Sequence, residues 1–227
     1  VLTAMRLVIS VTKSTINSRA EPENGYHQIS RKPAWKLLKK WRRINPNLAW
    51  YSFRNACNLP AHPNKHSFEE WISQQHFSIG QLFPEKTDNP LIPVDLGLES
   101  SLLGHRKEFE DLDHLAYKMN RLSLAHNNAV LYGGYKEIRP FYTTKAFQKE
   151  GNNGPEYRTA HLGVDFWLSA GSAVHALFDG EVFSIYNNDN NKDYGPTLIL
   201  SHKTENGFPF YTLYGHLSRS SLNILKT

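Results

Sequence analysis

The chain has 227 residues, of which 40% are hydrophobic and 12% aromatic, enough to build a packed core in one large or two small domains. Its net charge of +5 is mild for this length and argues for solubility rather than for nucleic-acid binding. The single cysteine, Cys57, excludes an internal disulfide and a cysteine-based zinc cluster, and it fits a reducing compartment.

The first apolar stretch, residues 2–11, is interrupted by Arg6 and is far shorter than the roughly 20 residues that span a bilayer. It also lacks the basic leader and the small-residue cleavage site of a signal peptide. We therefore expect no membrane span and a cytoplasmic location. Because the chain begins at Val1 and stops at Thr227, inside a β-rich region, we also expect a fragment of a longer protein.

Residues 1–80 are predicted to be helical. Behind Pro33, which suits the first turn of a helix, apolar side chains recur at helical spacing. The opposite face is basic, and it fits either a phosphate or membrane contact or an ordinary solvated surface. The apolar positions are Trp35, Leu37, Leu38, Trp41 and Ile44, and the basic positions are Lys36, Lys40 and Arg43.

Prolines at 84, 90 and 93 predict a linker over residues 81–105. Residues 107–126 follow as the clearest helix, whose apolar stripe is expected to pack against a sheet. From Asn128 onward the apolar residues alternate, which predicts strands separated by hairpin turns. The predicted strands are Ala129–Tyr132, Val174–Leu177, Glu181–Tyr186, Thr197–His202 and Phe208–His216.

One pair within this region, His161 and Asp165, has the residue types that can share a zinc ion. In a straight strand, residues four apart lie roughly 13 Å from each other, whereas two atoms bound to one zinc must lie within about 4 Å. The backbone must therefore bend, and Gly163 is the least costly place for the bend. A bare His-x-x-x-Asp is weak evidence, and a polar pair at a strand end remains the alternative.

The surrounding residues strengthen the metal interpretation. The run His161-Leu-Gly-Val-Asp165-Phe-Trp is followed by Ser169-Ala-Gly-Ser-Ala-Val174, Asp179-Gly-Glu-Val182 and Tyr211-Thr-Leu-Tyr-Gly-His216-Leu-Ser. In this order the segments resemble a lysostaphin/LytM-type zinc metallopeptidase domain, here covering residues 106–227. The resemblance implies an α+β fold, in which a helical N-terminal segment precedes an antiparallel β-sheet metallopeptidase-like domain truncated at its C-terminus.

The same resemblance implies roles for three residues. His161 and Asp165 would bind one zinc ion, and His216 would be catalytic, orienting the attacking water or stabilising the oxyanion. The family's third protein ligand comes from a later His-x-His, which does not occur in these 227 residues. We therefore expect weak zinc binding and little peptidase activity from this chain. The family cleaves peptide bonds in peptidoglycan cross-links or Gly-rich peptides, usually outside the cytoplasm.

The earlier part of the chain has a different resemblance. Lys32–Leu38 and Tyr51–Cys57 are similar to the helical tail of a choline/aminoglycoside-kinase-like phosphotransferase, which implies a segment boundary near residue 80. Arg139–Thr144 and Asp193–Thr197 are similar to the metallopeptidase-like domain of large fusions that end in a class III aminotransferase. An alternative function is therefore a non-catalytic β module within a cytoplasmic kinase–aminotransferase fusion. No motif for reading nucleic acid is present.

Overall fold

The computed structural model describes residues 2–104, 110–142, 144–151 and 154–224. The chain divides into two compact units, Val1–Gln74 and Gln75–Thr227. Helices and strands are both present, which confirms the predicted α+β class. No helix among the described residues is long and apolar enough to cross a membrane.

The first unit is helical throughout the part that the structure describes. Ala34 is buried in its second helix, and Leu38 and Trp41 lie on the same side, half-buried. The third helix begins where the Asn45 side chain accepts a hydrogen bond from the backbone of Asn47, with Pro46 in the first turn. The helices are α1 (Leu2–Ala20), α2 (Arg31–Trp41), α3 (Pro46–Ala56) and α4 (Lys65–Ser73), with a 3-10 turn at Gly25–Gln28.

The second unit contains all the strands of the described residues and three further helices. The helices are α5 (Ile79–Leu82), α6 (Leu112–Ala125) and α7 (Arg219–Ile224), with 3-10 turns at Pro84–Lys86 and Lys145–Phe147. The strands are β1 (Leu91–Pro93), β2 (Val130–Gly133), β3 (Glu137–Ile138), β4 (Gln148–Gly151), β5 (Gly154–Tyr157), β6 (Ala160–His161), β7 (Asp165–Trp167), β8 (Glu181–Asn188), β9 (Gly195–Lys203) and β10 (Pro209–Tyr214).

These strands form two three-stranded sheets and two short pairs. One sheet has the order β1-β2-β7, with β1 parallel to β2 and β2 antiparallel to β7. The other is the antiparallel meander β10-β9-β8. The pairs are β3 with β6 and β4 with β5, both antiparallel. The pairing is therefore mainly antiparallel, as predicted, with one parallel contact that the alternating pattern did not indicate.

The core of the second unit lies where α6 packs against the first sheet. Met119 of α6 is buried together with Leu131 of β2, so the helix packs against a sheet as its apolar stripe predicted. Leu131 is fully buried, and Val94 and Leu96, just after β1, join the same cluster. This core supports the strand that leads to the site, because Leu131 pairs with Trp167 of β7.

One predicted strand is wrong. Residues 174–177 form no strand, because their backbone amides bond outside any ladder. The His175 amide donates to the carbonyl of Leu82, and the Leu177 amide lies 3.4 Å from the Tyr214 hydroxyl. The strands predicted near 130, 181, 197 and 209 are confirmed, with ends shifted by at most two residues.

The linker predicted at 81–105 contains β1 and the buried residues Val94 and Leu96. The predicted domain boundaries of 1–80, 81–105 and 106–227 stay a prediction that limited proteolysis can test. Because backbone in a buried ladder resists cleavage, we expect the first cut near residues 74–78 and protection of residues 91–96. Early cleavage within 91–96, detected by mass spectrometry, would contradict this expectation.

Candidate metal site

The two candidate ligands stand on either side of a sharp bend. His161 ends β6, which pairs with β3, and Asp165 begins β7, which pairs with β2. Between them the backbone bends at Gly163. The change of partner strand turns the two side chains toward each other, so that His161 Nε2 lies 3.6 Å from Asp165 Oδ1.

This separation suits a shared metal ion. Two ligand atoms that each lie about 2 Å from a tetrahedral zinc are about 3.3 Å apart, close to the observed 3.6 Å. An imidazole nitrogen and a carboxylate oxygen are both ordinary zinc ligands. The pair therefore fits two positions of a zinc site.

A hydrogen bond fixes which nitrogen of His161 faces Asp165. Nδ1 lies 2.9 Å from the carbonyl oxygen of Gly134, and a carbonyl can only accept, so Nδ1 carries the hydrogen. In the neutral ring, Nε2 then has a free lone pair on the side of Asp165. A backbone carbonyl in this place is the usual support of a metal-binding histidine.

Gly134 is needed at this position for two reasons. Its φ of +99° lies in the region that residues with a side chain rarely adopt. A Cβ there would also lie 2.6 Å from His161 Nδ1 and 2.3 Å from Arg139 Nη2. The missing side chain thus makes room for both groups of the site.

A buried arginine occupies the other side of Asp165. Arg139 is 7% exposed, and its Nη1 lies 2.6 Å from Asp165 Oδ2. Its Nε donates to Glu137 Oε2, and Glu137 Oε1 accepts from the Leu96 amide at 2.7 Å. Burial disfavours the charged guanidinium, but the two carboxylates outweigh it, and the pKa of Arg139 lies above its usual value.

Sequence reasoning noticed Arg139 only as part of a resemblance and gave it no role in the site. The sequence feature that could have indicated a role is the Glu-x-Arg spacing, because an extended segment places Glu137 and Arg139 on one face. Tyr142, a second residue that was missed, is half-buried with its ring 6.5 Å from that of His161. Burial raises the pKa of Tyr142, and the nearby Arg139 partly opposes this.

His216 lies just beyond β10 and is exposed. Its backbone has a φ of +56°, and its amide donates to the carbonyl of Tyr194 at 2.7 Å. The catalytic role of His216 stays a prediction, since its described contacts are with Tyr194 rather than with the ligand pair.

His202 is structural. It is buried, with Nδ1 donating to the carbonyl of Asp179 at 2.9 Å and Nε2 2.8 Å from the Thr212 hydroxyl. Its ring stacks on Phe210. Both nitrogens are therefore occupied. Across the described ranges, no three His, Cys, Asp or Glu side chains form a group that could hold a metal ion.

Comparison with known families bears on the segment that carries these residues. Residues 159–226 match the model of Peptidase family M23. That family consists of zinc metallopeptidases, and the match includes His161, Asp165 and His216. The lysostaphin/LytM resemblance of this segment is thereby confirmed. The comparisons with curated proteins and with solved structures gave no match.

Proposed function

We propose that residues 159–226, the segment that matches Peptidase family M23, are part of a metallopeptidase-like module that holds one zinc ion between His161 and Asp165. The observation that supports this most is the 3.6 Å approach of His161 Nε2 to Asp165 Oδ1, inside the family match. When bound, zinc would activate a water molecule and polarise the scissile carbonyl of a peptide. The proposed substrates are peptidoglycan cross-links or Gly-rich peptides.

The residues of the proposed site have different roles. The Gly134 carbonyl keeps His161 in the form with a free Nε2, and Asp165 supplies a carboxylate oxygen beside it. His216 is proposed to hold the attacking water or to donate a hydrogen bond to the developing oxyanion. Its exposed position beyond β10 leaves its ring accessible to a substrate.

With two protein ligands, the proposed site would bind zinc weakly and exchangeably. Catalytic zinc sites have three protein ligands and one open position. By resemblance, the first histidine of the family's His-x-His shares oxyanion stabilisation, and the loss of one such donor typically costs about 100- to 1,000-fold in rate. The second candidate function is a non-catalytic β module in a larger multi-enzyme protein, which the resemblance of Arg139–Thr144 and Asp193–Thr197 to such fusions supports.

Zinc titration of the full 227-residue chain tests the proposal. We expect weak zinc binding at one site. Losing the hydrogen-bonding partner of a ligand typically lowers metal affinity about 10- to 100-fold. His161→Ala or Asp165→Ala removes a ligand itself, so each should lower the zinc affinity by more than that. His175→Ala is the matched control, because His175 is an exposed histidine of the same unit. Hydrolysis of pentaglycine or of a cross-linked muropeptide, measured in parallel, should be slow or undetectable.

Two results would count against this reading. Equal zinc affinity in the wild type and in His161→Ala would remove the proposed ligand pair. Tight stoichiometric zinc with rapid cleavage by the wild type would show that the site is already complete and would exclude the non-catalytic alternative.

A further inference from the structure

We propose that Arg139 is a positioning residue for the metal site: it holds one oxygen of Asp165 so that the other oxygen faces His161. This inference rests on the proposed function and adds a residue to it. It makes Arg139 part of the means by which the fold presents a zinc ligand.

Arg139 contacts one oxygen of the Asp165 carboxylate and leaves the other facing His161. Arg139 Nη1 lies 2.6 Å from Oδ2, while Oδ1 lies 3.6 Å from His161 Nε2. The ion pair through Oδ2 holds the rotation of the Asp165 side chain. Oδ1 is thereby kept as the oxygen that faces His161 and a metal ion beside it.

Arg139 is itself held by the core. The Leu96 amide donates to one oxygen of Glu137, and the other oxygen of Glu137 accepts from Arg139 Nε. Leu96 is 2% exposed and Arg139 7% exposed, so this connection is sheltered from water. A continuous series of hydrogen bonds thus runs from the hydrophobic core to Asp165.

The same short strand, β3, also aligns His161. Glu137 is the register partner of His161 in the β3–β6 pair. Glu137 therefore supports one ligand through the backbone ladder and the other through Arg139. Movement of β3 would displace both ligands together, which is the behaviour of a support and not of an isolated surface ion pair.

Charge and geometry make opposite predictions for the loss of Arg139. Arg139 supplies the positive charge of a cluster that also holds the carboxylates of Glu137 and Asp165. Removing the guanidinium makes the site more negative, and by Coulomb's law this should strengthen the binding of a divalent cation. If Arg139 works by positioning, zinc binding should instead become weaker.

The experiment uses zinc and cobalt titrations of the full chain and of three variants. Arg139→Gln removes the charge, and Arg139→Lys keeps the charge but loses the planar fork that contacts both carboxylates. Arg219→Gln is the matched control, because Arg219 forms an exposed ion pair with Asp189 at 2.7 Å. We expect both Arg139 variants to lose about 10- to 100-fold in zinc affinity, and the control to be unchanged.

Urea unfolding in chelator separates positioning from simple stabilisation. If Arg139 only stabilised the fold, the variants would unfold at lower urea but keep the wild-type zinc affinity while folded, which would overturn the inference. Cobalt absorption adds a spectroscopic readout, since its intensity changes with coordination geometry. If Arg139→Gln does not fold, Arg139→Lys tests the same series of hydrogen bonds at unchanged charge and should also weaken zinc binding.

The outcomes distinguish this inference from the proposed function. Loss of zinc in His161→Ala together with unchanged or tighter binding in Arg139→Gln would overturn the inference alone. Absence of zinc binding by the wild type would overturn both. Weaker binding in both Arg139 variants, with an unchanged Arg219→Gln, would support the positioning role.

Discussion

Replacing Gly134 with alanine is expected to abolish zinc binding at His161 and Asp165 and to destabilise the second unit. The new Cβ would lie 2.3 Å from Arg139 Nη2 and 2.6 Å from His161 Nδ1, well inside contact distance. The left-handed backbone adds strain of about 1–3 kcal/mol. Relief of the clash requires Arg139 or His161 to move, and either movement separates the ligand pair.

Gly171→Ala is the control for this substitution. Gly171 has a φ of +91°, close to the +99° of Gly134, but a Cβ there would meet no atom within 4 Å. Both variants carry the backbone strain, and only Gly134→Ala adds the clash. Zinc titration and urea unfolding should therefore show destabilisation in both and loss of zinc only in Gly134→Ala. Equal zinc affinity in the two variants would argue against a role for the close packing of Gly134 against His161 and Arg139.

The second large effect is expected from Leu131→Ala. Leu131 is fully buried, and truncation of a buried leucine costs about 2–5 kcal/mol because it leaves a cavity. In a unit of this size that corresponds to a fall in Tm of about 5–20 °C. Leu131 also pairs with Trp167, two residues beyond Asp165, so zinc binding should weaken as well.

Leu98→Ala provides the comparison, since Leu98 is 70% exposed. Its free energy of unfolding should stay within about 0.5 kcal/mol of the wild type. Thermal and urea unfolding followed by circular dichroism measure both variants. A small effect at Leu131, similar to that at Leu98, would mean that the core of the second unit is not centred on β2.

The approach of His161 to Asp165 was predictable from the sequence, because the two residues are only four positions apart in the chain. Residues four apart can share an ion only across a bend, and Gly163 marked the bend. The strands near 181, 197 and 209 were also predictable, because alternating apolar residues and Asp-Gly or Asn-Gly turns are local signals.

The structural features that were not predicted from the sequence depend on contacts between residues far apart in the chain. The prolines near 84–93 favoured a linker, yet Leu91–Pro93 pairs with a strand some forty residues later and leads into buried Val94. Arg139 contacts Asp165, which also lies far along the chain, and no local sequence pattern predicts such a contact. Residues 174–177 alternate like a strand, but the His175 amide donates to the carbonyl of Leu82 in α5 and the Leu177 amide to the Tyr214 hydroxyl.

The strand order has a consequence for how the site forms during folding. In the meander, Lys203 pairs with Pro209 across a tight turn, so β9 and β10 can join at little cost in loop entropy. The sheet under Asp165 must instead bring Leu91 to Val130 and Leu131 to Trp167. Distant pairings close more slowly. We therefore expect the meander to fold early and the metal ligands to come together only in the last steps of folding. A nascent chain would then bind no zinc at this site until its fold is nearly complete.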